Sequence, residues 1–351
     1  MVKDNFPIRL KEARLMMGFS MDKLVERAGG AITKQSISRY ERGIMHPKHK
    51  AQASLAKALN ISMDYFNGTS LKIDLPMLRT TSGNQLTEEE LVALEAKLSF
   101  WAEQYLDKER KAGISTSFTN PIPKTPVSEL EDITRMANFL RQEWHCGDGP
   151  LPCILRLLER KGIKVLIAEL PGDVWGVSTW ADKVHPLIVI DPCPGKTTTD
   201  RLRFTAAHEL AHLLLTFPKD MEPAQIEKLC NMFAGFFLFP KDTFIDEMGG
   251  TKRAQLTLEE LIDLKEVYGV SVSAQVHEAK DLQMISDEHY NWWYNERIKK
   301  NSMETGWGDY KIPETIGRER RINSRIEKRK IYEIHISYIS RPSRTLDYTI
   351  Q

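Results

Sequence analysis

The segment His208-Glu209-Leu210-Ala211-His212 has the residue types and the spacing of a metal site. Residues four apart on a helix lie on the same face, one turn apart, so His208 and His212 can both offer an imidazole nitrogen to one ion. Glu209 is turned by about 100° from His208, which suits a base acting on water better than a ligand. The pattern predicts His208 and His212 as zinc ligands and Glu209 as the catalytic base.

A catalytic zinc ion takes a third protein ligand, and the next predicted helix offers two acids, Glu222 and Glu227. Glu227 lies three residues before Cys230 and seven before Ala234, on the apolar face of that helix. A metal would explain a carboxylate on a face turned to the core. Glu222 precedes Pro223 and suits a loop. Glu227 is therefore the favoured third ligand, and Glu222 is the alternative.

The chemistry predicted by this set is zinc-assisted hydrolysis of a peptide bond, with Glu209 taking a proton from water and passing it to the leaving amine. A pair of structural histidines in the core is the alternative explanation. The apolar residues around the motif indicate a buried core helix, and this context argues against a chance match. An apolar strand predicted at residues 187–190 would hold an extended substrate by strand addition if it lies at a sheet edge.

The elements that must position these residues are short strands flanked by helices. Runs of apolar and β-branched residues predict the strands, and apolar residues at helical spacing predict the helices. The order of helices, a small sheet and further helices indicates an α+β domain. The predicted strands cover residues 165–168, 174–179 and 187–190, and the predicted helices cover residues 128–144, 152–161, 199–215, 223–238 and 256–284.

Residues 6–68 have a different pattern, that of a compact, mainly α unit of four or five short helices. Ser20 and Thr33 are suited to cap its second and third helices, and Gly43 is suited to end the third. Residues 1–68 carry twelve Lys and Arg against six Asp and Glu, although the net charge of the chain is +1. A local positive excess is typical of nucleic-acid binding.

The third helix of this unit has polar residues at its leading end, where a DNA-recognition helix contacts base edges. Gln35 is suited to pair with adenine, and Lys34 and Arg39 with guanine or phosphate. Ser36 and Ser38 are short enough to allow close approach. A solvated helix in a helical bundle is the alternative. We expect these five residues to contact an operator-like DNA duplex.

Four regions are expected along the chain. Residues 112–127 contain three prolines together with Gly, Ser and Thr, which is typical of a linker. Before them, Thr87 and Glu90 form a capping box for a long helix that ends near Arg110. The expected regions are a helix-turn-helix domain at 1–68, a helical connector and linker at 69–127, a peptidase-type domain at 128–285, and a basic, aromatic region with no assigned role at 286–351.

The bulk composition narrows the cellular setting. The chain contains no run of eighteen or more apolar residues, its start lacks the apolar segment of a secretory signal, and its four cysteines are widely spaced. These features predict a cytoplasmic protein with reduced thiols and no membrane partner.

Residues 8–66 resemble the lambda-repressor-like helix-turn-helix family, also called XRE. The resemblance implies DNA binding through the helix that opens with Thr33-Lys34-Gln35-Ser36. The turn Gly29-Gly30-Ala31-Ile32 is one or two residues longer than the family pattern and affects the angle at which that helix enters DNA. The similarity covers Leu24, Ala28, Ile37-Ser38, Glu41, Gly43, Pro47, Leu55, Ala58-Leu59 and Met63.

A second resemblance rests on residues 157–163, 203–212, Glu227, Asn231, Phe233-Ala234 and Pro240, with a weaker match at 268–271. Residues 128–285 resemble the ImmA/IrrE family of metallopeptidases, which implies a zincin-like fold with a thermolysin-like zinc arrangement. The resemblance implies that His208, His212 and Glu227 bind zinc and that Glu209 is the base. Ala211 and Cys230 replace residues common in the family, glycine and alanine, and are small enough to keep the site.

The two resemblances together imply a site-specific zinc endopeptidase that binds DNA and cleaves a partner transcriptional repressor, in a phage, mobile-element or stress response. The alternative is a transcriptional regulator or antitoxin-like protein whose metal domain senses a ligand and cleaves nothing. A metal-dependent toxin is a third, less favoured hypothesis. Palindromic operators would favour a homodimer, and the sequence leaves the oligomeric state open.

Overall fold

The structure, a computed structural model, describes residues 5–30, 32–68, 71–75, 86–114, 117–193, 198–250, 252–318 and 320–328. None of the described helices has the length and apolar composition needed to cross a membrane. The elements are α1 (Phe6–Met16), α2 (Met21–Arg27), α3 (Lys34–Glu41), α4 (His49–Ala58), a 3-10 turn (Met63–Asn67), α5 (Glu88–Lys111), α6 (Leu130–Glu143), α7 (Ile154–Lys161), β1 (Lys164–Ile167), β2 (Gly176–Ala181), β3 (His185–Ile190), α8 (Thr199–Leu214), α9 (Pro223–Leu238), α10 (Lys241–Glu247), α11 (Leu258–Tyr268), α12 (Val272–Asp281), α13 (Asp287–Trp292) and a π-helical turn (Trp293–Ile298).

Helices α1 to α4 and the 3-10 turn form a first unit with its own apolar core. The predicted caps are present, because the hydroxyls of Ser20 and Thr33 each accept a hydrogen bond from the backbone N–H three residues later. Arg14 of α1 donates two hydrogen bonds, of 2.6 and 2.9 Å, to the carboxylate of Glu41 at the end of α3. This buried pair fixes the direction of α3. The predicted mainly α helix-turn-helix domain is confirmed.

Helix α5 packs against both halves of the molecule. It begins with the predicted capping box between Thr87 and Glu90. Glu103, near its middle, accepts two hydrogen bonds of 2.7 and 2.6 Å from Arg9 of α1. Glu109, a turn and a half later, forms a buried ion pair of 3.2 Å with Lys164 of β1. Helix α5 therefore directs one carboxylate to each unit.

The sheet has the order β1-β3-β2, with β1 parallel and β2 antiparallel to β3. This order corrects the expectation for the strand at 187–190: β3 is central, and both of its edges are already paired, so it cannot accept a substrate strand. Strand β2 lies at the edge and extends to Ala181, beyond its predicted end. It closes on Asp182 and Lys183, which both have positive φ without being glycine, so no glycine marked the turn.

Helices α8 and α9 pack against each other, and α8 also packs against β2 and β3. The largest apolar core lies between these elements and α6, with Leu210, Phe233 and Ile188 fully buried in it. The predicted α+β domain with a small sheet is confirmed. The helical stretch expected at 256–284 is two helices, because Gly269 takes a positive φ of 66° and ends α11.

Residues 117–127 of the proline-rich segment pack against the second unit. Ile122 and Val127 are buried in its core, the side-chain N–H of Asn120 donates to the carbonyl of Leu214 at 2.7 Å, and the backbone N–H of Val127 donates to Thr216 at 2.9 Å. Prolines favour extended backbone whether or not it is packed, so composition alone did not reveal these contacts.

Residues 287–318, for which the sequence indicated no role, pack against the same core. Trp293 and Trp307 are buried there. The carboxylate of Glu304 accepts hydrogen bonds from the first backbone N–H groups of α12, and Glu314 does the same for α7. Glu314 also forms a fully buried ion pair of 2.5 Å with Arg203 of α8. This region is therefore part of the second unit.

Candidate functional site

Two adjacent helices bring together the three residues predicted to bind metal. Helix α8 carries His208 and His212 one turn apart, and α9 carries Glu227 in its second turn. The Nε2 atoms of the two histidines are 3.1 Å apart, and the Glu227 carboxylate oxygens lie 3.2 Å from Nε2 of His208 and 3.4 Å from Nε2 of His212. Among the described residues, this set forms the one group arranged to hold a metal ion.

These distances fit a tetrahedral zinc site. Ligand atoms about 2.1 Å from a tetrahedral ion lie about 3.4 Å from one another, which is the separation found here. The donor set, two imidazoles and one carboxylate, is also the one used by catalytic zinc sites that keep a position open for water. The alternative third ligand, Glu222, is the N-cap of α9 and lies outside the cluster.

Neighbouring side chains orient both imidazoles. The Oδ1 atom of Asn231, one turn after Glu227 on α9, lies 2.8 Å from Nδ1 of His208 and can accept its proton, which leaves Nε2 of His208 to face the cluster. The Sγ atom of Cys230 lies 3.6 Å from Nδ1 of His212. Burial raises the pKa of the Cys230 thiol, which disfavours its thiolate form.

Charge within the cluster is shared between the histidines and Glu227. Hydrogen bonds from His208 and His212 hold the pKa of Glu227 far below its ordinary value. Burial of the His208 ring is the largest single effect and disfavours its charged form. The hydrogen bonds to Glu227 and Asn231 and the negative charges of Glu209 and Glu227 together outweigh it, so the pKa of His208 is raised. The cluster therefore holds an anionic carboxylate against two nitrogen atoms, an arrangement that favours a shared cation.

Glu209, the predicted base, is buried on α8 beneath the start of β2. Gly176, the first residue of β2, comes so close that a Cβ atom built on it would lie 2.8 Å from Oε1 of Glu209 and 2.7 Å from Thr205. The Glu209 side chain therefore packs against bare backbone. This contact positions the carboxylate beside the cluster without making it a ligand.

The predicted DNA-contacting residues lie on α3 of the first unit. Lys34, Gln35 and Arg39 are exposed, and Ser36 and Ser38 are half-buried. Lys34 forms an ion pair of 2.7 Å with Asp22 of α2. Both side chains of this pair are well exposed, so it is weak and leaves Lys34 able to turn to a phosphate. The leading end of α3 is open to a partner.

Residues 158–280 match the model of a peptidase family described as the IrrE N-terminal-like domain, and residues 10–66 match the model described as helix-turn-helix. The chain is a fusion of these two domains. No curated protein matches the chain significantly. The IrrE-like match includes α8 and α9, and the helix-turn-helix match includes α2 and α3.

A large cavity opens over the cluster of the IrrE-like domain. It has a volume of about 1340 Å³ and runs between β2, α8, α9 and α12. Residues 176 and 178–180 of β2 line one wall. Residues 71–75 pair with the far end of β2, where Ile73 forms a bridge with Ala181 and Thr179 Oγ1 donates to the carbonyl of Asp74 at 2.7 Å. The start of β2 is the part of this wall that lies next to Glu209.

Sequence reasoning assigned no role to Gly176 or Asn231, although both carried a signal. A glycine inside a strand pattern indicates close approach by another group, which applies to Gly176 in the run Val174-Trp175-Gly176-Val177. Asn231 lies four residues after Glu227 and therefore on the same helix face. The spacing that selected Glu227 also selects Asn231.

Proposed function

We propose that the protein is a DNA-binding zinc endopeptidase that cleaves a partner transcriptional repressor. The observation that carries this proposal is the convergence of His208, His212 and Glu227 at the separations of a tetrahedral site, with Glu209 buried beside them. The coarser description, a helix-turn-helix domain joined to an IrrE-like peptidase domain, rests on the family matches.

His208, His212 and Glu227 would hold the zinc ion, and Asn231 would keep Nε2 of His208 directed to it. Zinc bound there would supply Lewis acidity, lowering the pKa of a water molecule and polarising the scissile carbonyl. Glu209 accepts the proton of the attacking water and delivers it to the leaving amine nitrogen. The close contact with Gly176 limits the positions that the Glu209 carboxylate can take.

The start of β2 is suited to hold the substrate. It belongs to an edge strand, lines the cavity and is in contact with Glu209. An extended peptide that added to this edge would pass over the cluster. The cavity exceeds the roughly 300–1,000 Å³ typical of small-molecule pockets, as a peptide substrate requires.

DNA binding and peptide cleavage would together serve the removal of a DNA-bound repressor. Helix α3 would bind an operator-like duplex through Lys34, Gln35, Ser36, Ser38 and Arg39. Binding near a DNA-bound repressor would raise the local concentration of the substrate. We assign residues 1–68 to DNA binding, 69–127 to the connection and 128–285 to the peptidase. We propose that the protein is cytoplasmic. A palindromic operator would favour binding by a homodimer. Residues 287–318 are assigned to the support of the peptidase core.

The test is cleavage of repressors encoded next to this chain, by the purified protein with zinc. We expect a single cut in one of them and loss of cutting in Glu209→Gln, with zinc content unchanged. Removing a general base costs about 10²- to 10⁴-fold in rate. Cleavage by Glu209→Gln at the wild-type rate would refute the mechanism. Operator binding that responds to zinc, without proteolysis of any repressor, would instead support a sensor.

A further inference from the structure

A second acidic group lies in the wall of the cavity, away from the zinc ligands. Glu227, Asn231 and Gly235 follow each other at intervals of four and therefore share one face of α9. Gly235 is about 12 Å along the helix from Glu227, at 1.5 Å per residue. Glu278 of α12 lies opposite Gly235, and both line the cavity.

The glycine at this position makes room for Glu278. A Cβ atom built on Gly235 would lie 3.1 Å from Oε2 of Glu278, closer than the two atoms normally approach. Gly235 lies in the last turn of α9 among buried residues, and glycine is less favourable than alanine within a helix. The space left by the missing methyl group is occupied by the carboxyl group. Sequence and geometry therefore agree that a carboxyl group is accommodated here.

Glu278 has no hydrogen-bonding partner for either carboxyl oxygen among the described residues, although both atoms are buried. The neighbouring cations have other partners: Lys228 pairs with Asp281 at 3.3 Å, and Lys280 pairs with Asp287. His277 lies beside it, and burial lowers the pKa of this histidine, whose Nδ1 bonds with the hydroxyl of Tyr290. Arg201, which also lines the cavity, lies over the ring of Trp175, and none of the described cations in the lining bonds to Glu278.

A buried acid without a partner is costly unless it is neutral or meets a cation. Burial raises the pKa of Glu278 well above its ordinary value, with the charge of Asp281 adding to the effect. Burial therefore disfavours the charged form of Glu278, and a cationic ligand would favour it by forming a desolvated ion pair. Such a pair discriminates strongly against ligands that lack the charge.

We propose that Glu278 and Gly235 form a specificity pocket that receives a lysine or arginine side chain of the substrate. The inference rests on the proposed peptidase function and specifies its substrate. Because an extended chain advances about 3.3 Å per residue and a lysine side chain is itself long, the basic residue lies within about three residues of the cleaved bond.

The test measures binding separately from cleavage. The full chain with Glu209→Gln is loaded with zinc and incubated with a synthetic random octapeptide library, and retained peptides are sequenced by mass spectrometry. We expect Lys and Arg to be enriched at one position about tenfold to a hundredfold over Gln, as one hydrogen-bonded charge provides. The enrichment should disappear when Glu278→Gln is added. Glu259→Gln, which neutralises an exposed acid outside the cavity, is the matched control and should keep it.

Each outcome decides the question. Glu278→Gln keeps the size and polarity of the neutral acid, and its thermal unfolding reports whether it folds. If it does not fold, Gly235→Ala decides, since its methyl group displaces the carboxyl group and should reduce the enrichment severalfold. Retained enrichment in these variants, or none in the parent, refutes the pocket. A protein that cleaves repressors without preferring basic residues keeps the proposed function and loses this inference. A protein that binds basic peptides through Glu278 but cleaves nothing keeps this inference and loses the proposed function.

Discussion

Glu209 shows how the site depends on what its neighbours lack. Its carboxylate packs against Gly176, where the absence of a side chain lets β2 approach α8. Gly235 likewise lacks a side chain and leaves space for Glu278. At the residue scale, chemistry is set by which side chains are missing as much as by those that are present.

The Gly176→Ala substitution tests this contact. The added methyl group would lie 2.7 Å from Thr205 and 2.8 Å from Glu209, so we expect a loss of about 1–3 kcal/mol in the free energy of unfolding. The cleavage rate of the folded variant should also fall, by more than the loss of stability explains, because Glu209 is displaced. Chemical denaturation and cleavage rates measure the two effects. The matched control is Gly149→Ala, since a Cβ atom there meets nothing within 4 Å and φ is not positive.

At this scale, local spacing was enough to predict that His208, His212 and Glu227 lie together. His208, His212 and Glu209 are fixed relative to one another by a single helix. Glu227 was predictable because it interrupts an apolar face. Glu278 was not, since nothing in its own helix shows that α12 packs across the cavity from Gly235.

At the scale of elements, the helices were easier to predict than the sheet. Helix α9 has the predicted bounds, Pro223–Leu238, because proline starts it and the next proline follows its end. The strands were found, but their order depends on contacts between residues far apart in the chain. An apolar run such as β3 is typical of a central strand, and its composition does not say which neighbours cover it.

Helix α3 gives the prediction at this scale. Replacing Gln35 with Ala should relax the preference for one base pair by about 1–3 kcal/mol, and replacing Lys34 with Ala should weaken binding to all sequences alike. Selection from a random duplex library, followed by binding assays at several salt concentrations, measures both. Lys97→Ala removes an exposed positive charge from α5 and should leave binding unchanged. A sequence preference untouched by Gln35→Ala would mean that α3 does not read bases.

At the scale of the whole molecule, α5 connects the two domains through buried charge. Glu103 binds Arg9 of the helix-turn-helix domain, and its Oε1 also accepts the backbone N–H of Leu71 at 3.2 Å. Leu71 begins the segment that pairs with the end of β2. Glu109 then contacts both Lys164 and Arg318. The sequence predicted the helix, but these partners lie far away along the chain.

Glu103→Gln should destabilise the helix-turn-helix domain. Arg9 is 1% exposed, and the loss of its charged partner should cost up to about 3 kcal/mol, the low end for a broken buried ion pair because Glu103 keeps some exposure. Hydrogen exchange of α1 and α3 should report the change. Glu95→Gln, at an exposed position of the same helix, is the control and should shift stability by less than about 0.5 kcal/mol. Unchanged protection in α1 would show that the connection is not structural.

The zinc content of the purified chain tests the central claim most directly. Wild-type protein should bind about one zinc ion per chain, as a three-ligand site does, and Glu227→Ala should lose it. Glu222→Ala, which removes the acid just before α9, should keep it. Wild-type protein that binds no zinc at micromolar concentrations, or zinc binding that survives Glu227→Ala and fails in Glu222→Ala, would contradict the account.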